Sequence, residues 1–366
     1  VLYYNLSHQD QQKGVYFLKS KVLVGLSGGV DSCAAALILQ EQGFEVIGAH
    51  LVLTPPEGEN TGARDAARVA EALGIELRVI DLRDIFENTV IHYFTEEYLN
   101  GYTPNPCIIC NREIKFGALL DIAKHSGIDY IATGHYAGIE KNENRWLLKK
   151  SAGEKDQSYF LYMLSQDQLS HALFPVNGMD KGSVRELALR HKMPVACKPD
   201  SQEICFIPGD DYAGFIRRKC QNLPPAGNFV DASGKVLGRH DGIINYTIGQ
   251  RKGLGAFGAP VYVTNINPDN NSVTLGVEGA QYSPTLTAEK MNWIAVESIN
   301  KEIRASVKIR FRAKPAPAAV IPDRDKVRIV FDKPQRAVTP GQSAVLYDGD
   351  IVLGGGRIMR QAGQNH

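Results

Sequence analysis

The chain has 366 residues, 43% hydrophobic and 22% charged, with a net charge of +1, a composition that fits two or three globular domains and excludes a disordered or collagenous chain. No apolar run approaches the ~18 residues of a membrane span, no basic stretch followed by an apolar one opens the chain, and six cysteines are too few for a disulfide scaffold, so a cytoplasmic protein with no membrane partner is expected. Charge is uneven along the chain: residues 285–366 carry 14 Lys and Arg against 8 Asp and Glu, which suits a polyanion partner and an inert basic domain alike.

Residues 1–20 read as an N-terminal extension. From there to about residue 135 the pattern alternates strand and helix: a buried strand over 21–26, a helix over Asp31–Gln42, a strand over 45–53, a helix over Arg64–Leu73, a strand over 76–81, a helix over 85–99, a helix over Glu113–His125 and a strand over 130–133. Such alternation predicts a parallel sheet covered on both faces, with ligands outside the carboxyl ends of the strands. Three segments fall at those ends: Ser27–Ser32, the segment after Leu51, and Gly134–His135. Residues 156–220 read as mainly helical. Beyond Pro224 short alternating segments punctuated by Gly, Pro, Asn and Asp predict hairpins. The expected organisation is an α/β unit over 21–222, a small β unit over 223–284 and a second β unit over 285–366, with a disordered tail after Arg360.

The loop after the first strand reads SGGVDS. Gly28 and Gly29 let the backbone approach an anion closely, and the helix that follows turns its positive dipole end to the same point. Ser27 and Ser32 can donate to phosphate oxygens. Asp31 is explained if Mg²⁺ sits between it and a pyrophosphate. A tight strand-to-helix turn with no ligand is the bland alternative. The loop resembles that of the PP-loop ATP pyrophosphatases, which implies cleavage of ATP between the α- and β-phosphates and transfer of AMP to a carbonyl oxygen. On that resemblance Gly25, Leu26, Ser27, Gly28, Gly29, Val30, Asp31 and Ser32 bind ATP, Leu51 packs on adenine and Gly134 leaves room for the ribose.

Cys107 and Cys110 stand in TPNPCIICNREIKF, in a proline-marked loop ahead of the predicted helix at Glu113, and Cys205 stands in DSQEICFIPG. A thiol near a helix N-terminus has a lowered pKa and is reactive. A lone CxxC also fits half a zinc site or a redox pair, though no second pair completes a zinc set. Cys33, Cys197 and Cys220 read as structural. With GLSGGVDS, ATGHYA, KDQSYFL, DSxxICFI, YTIGQRKGLG, KIRFR and TPGQ in order along most of the chain, the sequence closely resembles the tRNA-specific 2-thiouridylases.

That resemblance implies a PP-loop domain with a helical tRNA-binding part, a small central β domain and a C-terminal β-barrel. It also implies adenylation of O2 of the wobble uridine, then displacement of AMP by sulfur. By motif match, Cys110 is the nucleophile and Cys205 bears the persulfide, delivered by a sulfur-donor protein, with a Cys110–Cys205 disulfide as by-product. Asp200 and Ser201 flank the site. Asn105, Pro106 and Cys107 would contact the target base, and His135, Lys155, Asp156, Gln157, Arg310, Phe311 and Gln342 the tRNA anticodon arm. Many relatives have Asp where this chain has Cys107, so Cys107, Cys110 and Cys205 could instead hold a 4Fe–4S cluster that carries sulfide. The family match favours the persulfide. An amide ligase of the same superfamily and a catalytically inactive tRNA-binding protein are the rival readings.

Overall fold

A computed structural model describes residues 20–55, 61–153, 155–199, 204–207, 209 and 211–360. The tail after Arg360, Asp200, Ser201 and all but the last residue of the 1–20 extension lie outside them.

The first strand, β1 (Lys21–Gly25), has Val22, Leu23 and Val24 fully buried. It leads through the SGG turn into α1 (Val30–Glu41), whose run Cys33–Ala36 is fully buried as well. Small side chains let α1 lie close against the sheet. There follow β2 (Glu45–Val52), α2 (Thr61–Leu73) and β3 (Leu77–Asp81). A continuous helix then runs through α3 (Arg83–Phe86), the π-helical segment Glu87–Ile91 and α4 (His92–Leu99). A second runs through α5 (Pro106–Ile109), the π-helical segment Cys110–Ala118 and α6 (Leu119–His125) to β4 (Tyr130–Ala132).

This second helix corrects the sequence reading. It starts at Pro106, not Glu113, because the Asn105 side chain accepts the Cys107 N–H at 3.2 Å and Pro106 takes the first helical position, where a missing N–H costs nothing. Cys107 and Cys110 therefore lie in the helix and not in a loop before it.

The stretch 137–150 has no element in the order expected from sequence. It forms the hairpin β5 (Ala137–Lys141) and β6 (Trp146–Lys150). The region 156–220 is less helical than predicted. It holds a single turn at Ser158–Phe160, α7 (Gln166–Ser170), the two-residue strand β7 (Ala172–Leu173), α8 (Lys181–Arg190) and α9 (Tyr212–Lys219). The sheet of the α/β unit is all-parallel in the order β3-β2-β1-β4-β7.

Two further sheets complete the chain. β8 (Gly227–Val230), β9 (Val236–His240), β10 (Tyr262–Asn267) and β11 (Ser272–Gly276) form a four-stranded sheet from the two predicted hairpins. β12 (Tyr282–Trp293), β13 (Ile303–Lys308), β14 (Ala316–Asp323), β15 (Lys326–Arg336), β16 (Ser343–Asp348) and β17 (Ile351–Ile358) close into a six-stranded barrel through the β12–β17 pairing. β6 pairs with β17 at Lys149 and Ile351, so the hairpin of the α/β unit extends the barrel sheet. Tyr159 donates to the Ser343 carbonyl at 3.0 Å, and Leu148, Tyr159 and Leu161 share one buried cluster with Val345, Tyr347 and Val352. The α/β unit and the barrel are welded through a common core.

Candidate active site

At the carboxyl end of β1 the chain turns at Gly28, where φ is +75° and a Cβ would lie 2.6 Å from the Gly62 carbonyl oxygen. No L side chain fits there. Gly29 caps α1, and Val30 is buried behind it. The Ser27 N–H donates to Ser32 Oγ at 3.3 Å, and Ser32 Oγ donates to the Gly29 carbonyl at 3.0 Å, which fixes the loop as a cradle open on one side. Gly134 abuts this cradle from β4: a Cβ on it would lie 2.6 Å from the Asp31 carbonyl carbon. Its first duty is thus to let the first turn of α1 approach, beyond the room for a ribose expected of it.

One cavity of about 460 Å³ opens here. Of the residues singled out in the sequence, Gly25, Leu26, Ser27, Asp31, Ser32, Leu51, Gly134, His135, Gln157 and Cys205 all line it. The buried His50 joins them, its Nδ1 2.9 Å from the Leu26 carbonyl, and so does Lys115.

Asp31 is already engaged. Its Oδ1 accepts from the Tyr136 hydroxyl at 2.6 Å and from Lys181 Nζ at 2.7 Å, and Lys155 Nζ lies 3.9 Å from Oδ2. Lys198 Nζ donates to the Gly28 carbonyl at 3.1 Å and to Asp65 at 2.7 Å, and holds that carboxyl below its usual range. Three ammonium groups from three distant segments thus gather around the loop. A divalent ion meeting Asp31 on Oδ1 would have to displace Lys181, whereas Oδ2 faces Lys155 at 3.9 Å. Lys181 and Lys198 escaped the sequence reading, since each is a single surface-type residue in an unremarkable stretch.

The other end of the cavity carries sulfur. All six cysteines are free thiols, Cys110 and Cys33 buried, Cys205 and Cys197 exposed. The expected lowering of the thiol pKa does not occur. Burial pushes Cys110 up to about 12 and raises the half-buried Cys107 as well, against the pull of Lys115 on both. Desolvation of these two thiolates outweighs the nearby cation. His135, packed between Phe116 and Phe174, shares a 2.8 Å hydrogen bond with Thr133 through Nδ1, and burial first, then Lys115, holds it neutral, well below the usual histidine range. Among the described residues no group of three or more His, Cys, Asp and Glu is disposed to hold a metal ion, so a three-cysteine cluster site does not fit this arrangement.

The remaining expected contacts divide. Asp156 caps a turn, accepting the Ser158 N–H at 3.0 Å, and Gln157 accepts the Tyr136 N–H at 3.0 Å; Gln157 lines the cavity, and Lys155 stands 3.9 Å from Asp31 at the Ser27–Ser32 loop. Asn105 lies elsewhere, on a second cavity of about 240 Å³ with Arg112, Lys290 and Arg357. Gln342 donates to the Thr103 carbonyl at 2.8 Å, tying the barrel to the loop that carries Asn105 and Pro106. The strand expected over KIRFR ends at Lys308, which is buried against the Tyr159 and Phe311 rings, and Phe311 lies 4.3 Å from Phe160. Arg310 donates to the Arg336 carbonyl at 3.2 Å.

Known proteins agree with this layout. The family model described as "tRNA methyl transferase HUP domain" matches residues 20–209, the "PRC-barrel domain" model 213–277 and the "Aminomethyltransferase beta-barrel domain" model 283–358. The tRNA-specific 2-thiouridylase MnmA of Acetivibrio thermocellus is 52% identical over 356 residues, covering 93% of this chain and 99% of that one. Its namesake from Clostridium acetobutylicum is 49% identical over 354 residues, 93% of this chain and all of that one. The solved U34-tRNA thiolase NcsA of Methanococcus maripaludis aligns over 52% of this chain and 63% of its own, at 22% identity and a TM-score of 0.35. By its near full-length identity to these relatives, this chain belongs to the tRNA-specific 2-thiouridylase family.

Proposed function

We propose that the chain is a tRNA uridine 2-sulfurtransferase that spends ATP to activate O2 of the wobble uridine and then replaces that oxygen by sulfur. One observation carries the reading: the Ser27–Ser32 loop and Cys205 line the same cavity. A phosphate cradle and a thiol on one cavity are the parts for an adenylated carbonyl met by sulfur. Methyl transfer, the reaction in the domain descriptions, has no use for a pyrophosphate-binding loop.

In this reading the loop N–H groups and the Ser27 and Ser32 hydroxyls hold the phosphates. Lys155, Lys181 and Lys198 neutralise the leaving pyrophosphate, and Leu51 and Gly134 bound the nucleoside. The uridine O2 attacks the α-phosphorus and pyrophosphate departs. Sulfur from a Cys205 persulfide then attacks C2 and AMP leaves, with Cys110 resolving the carrier as a Cys110–Cys205 disulfide that a thiol must reduce before the next turnover. The exposure of Cys205 suits loading by a sulfur-donor protein, and a cytoplasmic setting supplies both tRNA and reducing thiols. The unit over 21–222 does the chemistry, while the barrel over 285–366, locked to the Asn105 loop through Gln342, presents the anticodon arm, with the small β unit over 223–284 following the first in the chain. Mg²⁺ would accompany ATP as its counter-ion, without Asp31 as an established ligand.

The test is 2-thiolation of a transcribed tRNA with ATP and a persulfide donor, beside ATP–pyrophosphate exchange. Cys110→Ala and Cys205→Ala should each abolish thiouridine yet keep tRNA-dependent exchange. Exchange that proceeds without tRNA would point to an amide ligase, and thiolation surviving Cys110→Ala to a different chemistry. A colourless, iron-free preparation that is fully active with the persulfide donor would exclude the cluster as sulfur carrier.

A further inference from the structure

Three lysines gather at the Ser27–Ser32 loop, whereas the cation that lines the cavity beside Cys205 is Lys115. This residue stands on the π-helical segment Cys110–Ala118, where the backbone closes i→i+5 bonds such as Leu119 N–H to the Ile114 carbonyl. Cys110 and Lys115 are five residues apart, so the wider turn sets them one above the other on a single face. An α-helical turn would rotate Lys115 away from that face; π-bulges recur where a helix must aim a side chain at a site. Lys115 is half-buried and lines the cavity beside Cys205, His135 and Leu51. Among the described residues it has no hydrogen-bond or ion-pair partner, in contrast to the lysines at the loop. A half-buried ammonium without a counter-charge is costly unless an anion arrives.

We propose that Lys115 is a positioning residue for the sulfur-transfer stage, compensating the negative charge that develops on the sulfur of the Cys205 carrier and of Cys110 as each attacks beside the activated uridine. The inference rests on the sulfurtransferase reading but concerns a residue outside the carrier pair. Lys115 remains an ammonium throughout: it gives up no proton and forms no bond, and its charge compensates the anion that attacks. The charged and titratable groups that act on these thiols are few. Cys110 feels Lys115, Cys205 and Cys107; Cys205 feels Lys115 and Cys107; Cys107 feels Lys115. Lys115 is the one group in that set that favours thiolate. The neutral His135 beside it does not compete for the anion.

The experiment measures alkylation of the exposed Cys205 by iodoacetamide against pH, read on its own peptide, on the full chain without ATP or tRNA. Lys115→Met should move the midpoint upward by about one pH unit or more, the scale of losing one close opposite charge. Lys115→Arg should restore it. tRNA-dependent ATP–pyrophosphate exchange should persist within a few-fold in Lys115→Met, while thiouridine formation falls by more than tenfold. An unchanged alkylation midpoint would overturn the proposal, as would a raised KM for ATP with a normal midpoint, which would assign Lys115 to the nucleotide. Lys115→Gln, read the same way, decides the matter should the methionine variant not fold. Loss of tRNA-dependent exchange in the unsubstituted chain would instead defeat the sulfurtransferase reading itself.

Discussion

Lys181 Nζ lies 2.7 Å from Asp31 Oδ1, tying the first turn of α8 to the first turn of α1 across 150 residues of sequence. The contact places a cation where a pyrophosphate would leave. It also satisfies the acidic side chain that an anion-binding loop would otherwise leave exposed to its ligand. Each arriving phosphate must share Lys181 with Asp31, which makes the pair a sensitive point of the site.

Removing that cation tests this. Lys181→Met should lower tRNA-dependent ATP–pyrophosphate exchange by about 10- to 100-fold, the equivalent of one charge-assisted hydrogen bond of ~1.5–3 kcal/mol. Lys181→Arg should recover part of the loss. An unchanged exchange rate would remove Lys181 from the phosphate site.

Gly134 is held by packing. A Cβ there would press on Asp31 and Ser32 main-chain atoms at 2.6 and 2.7 Å, where no flexible side chain can yield. Gly134→Ala should cost about 1–3 kcal/mol of stability and weaken ATP binding together with it. Thermal unfolding with and without ATP measures both, and a wild-type melting temperature would show that α1 has slack.

His135 gives a pH signature. Its folded pKa is depressed, by burial and then by Lys115, so the unfolded chain takes up a proton that the folded chain refuses. The stability from the neutral ring is present above ~6.5, the unfolded value, and is lost as pH falls toward the depressed folded one. In urea titrations His135→Gln should flatten the acid side by up to ~1.4 kcal/mol per pH unit below ~6.5. An identical slope in the variant would show that the ring protonates freely.

The welded core predicts that the α/β unit does not stand alone. Deleting residues 283–366 strips Val345, Tyr347 and Val352 from the cluster around Leu148 and Tyr159, and leaves the β6 edge unpaired. The truncated chain should aggregate or unfold without a cooperative transition. A soluble fragment with a sharp melt and intact ATP binding would show separable domains.

Much of this molecule was legible from residue order. Alternating apolar strands and helices determined the parallel sheet, since burial on both faces leaves a pattern that does not depend on distant partners. SGGVDS determined its own turn, because only glycine accepts the φ of +75° at Gly28. The cysteine motifs marked a residue of the cavity, Cys205, ahead of any structure. What residue order could not decide was anything set by desolvation or by contacts far apart in the chain. The helix-dipole argument favoured reactive thiolates, yet burial of Cys110 reversed its direction. Lys181 and Lys198 look like surface charges until folding brings them to the Ser27–Ser32 loop. The hairpin 137–150 finds its sheet on a strand two hundred residues later, through the Lys149–Ile351 pairing. Local propensity is a property of neighbours in sequence, whereas dielectric environment and charge proximity belong to neighbours in space, and those only the tertiary fold supplies.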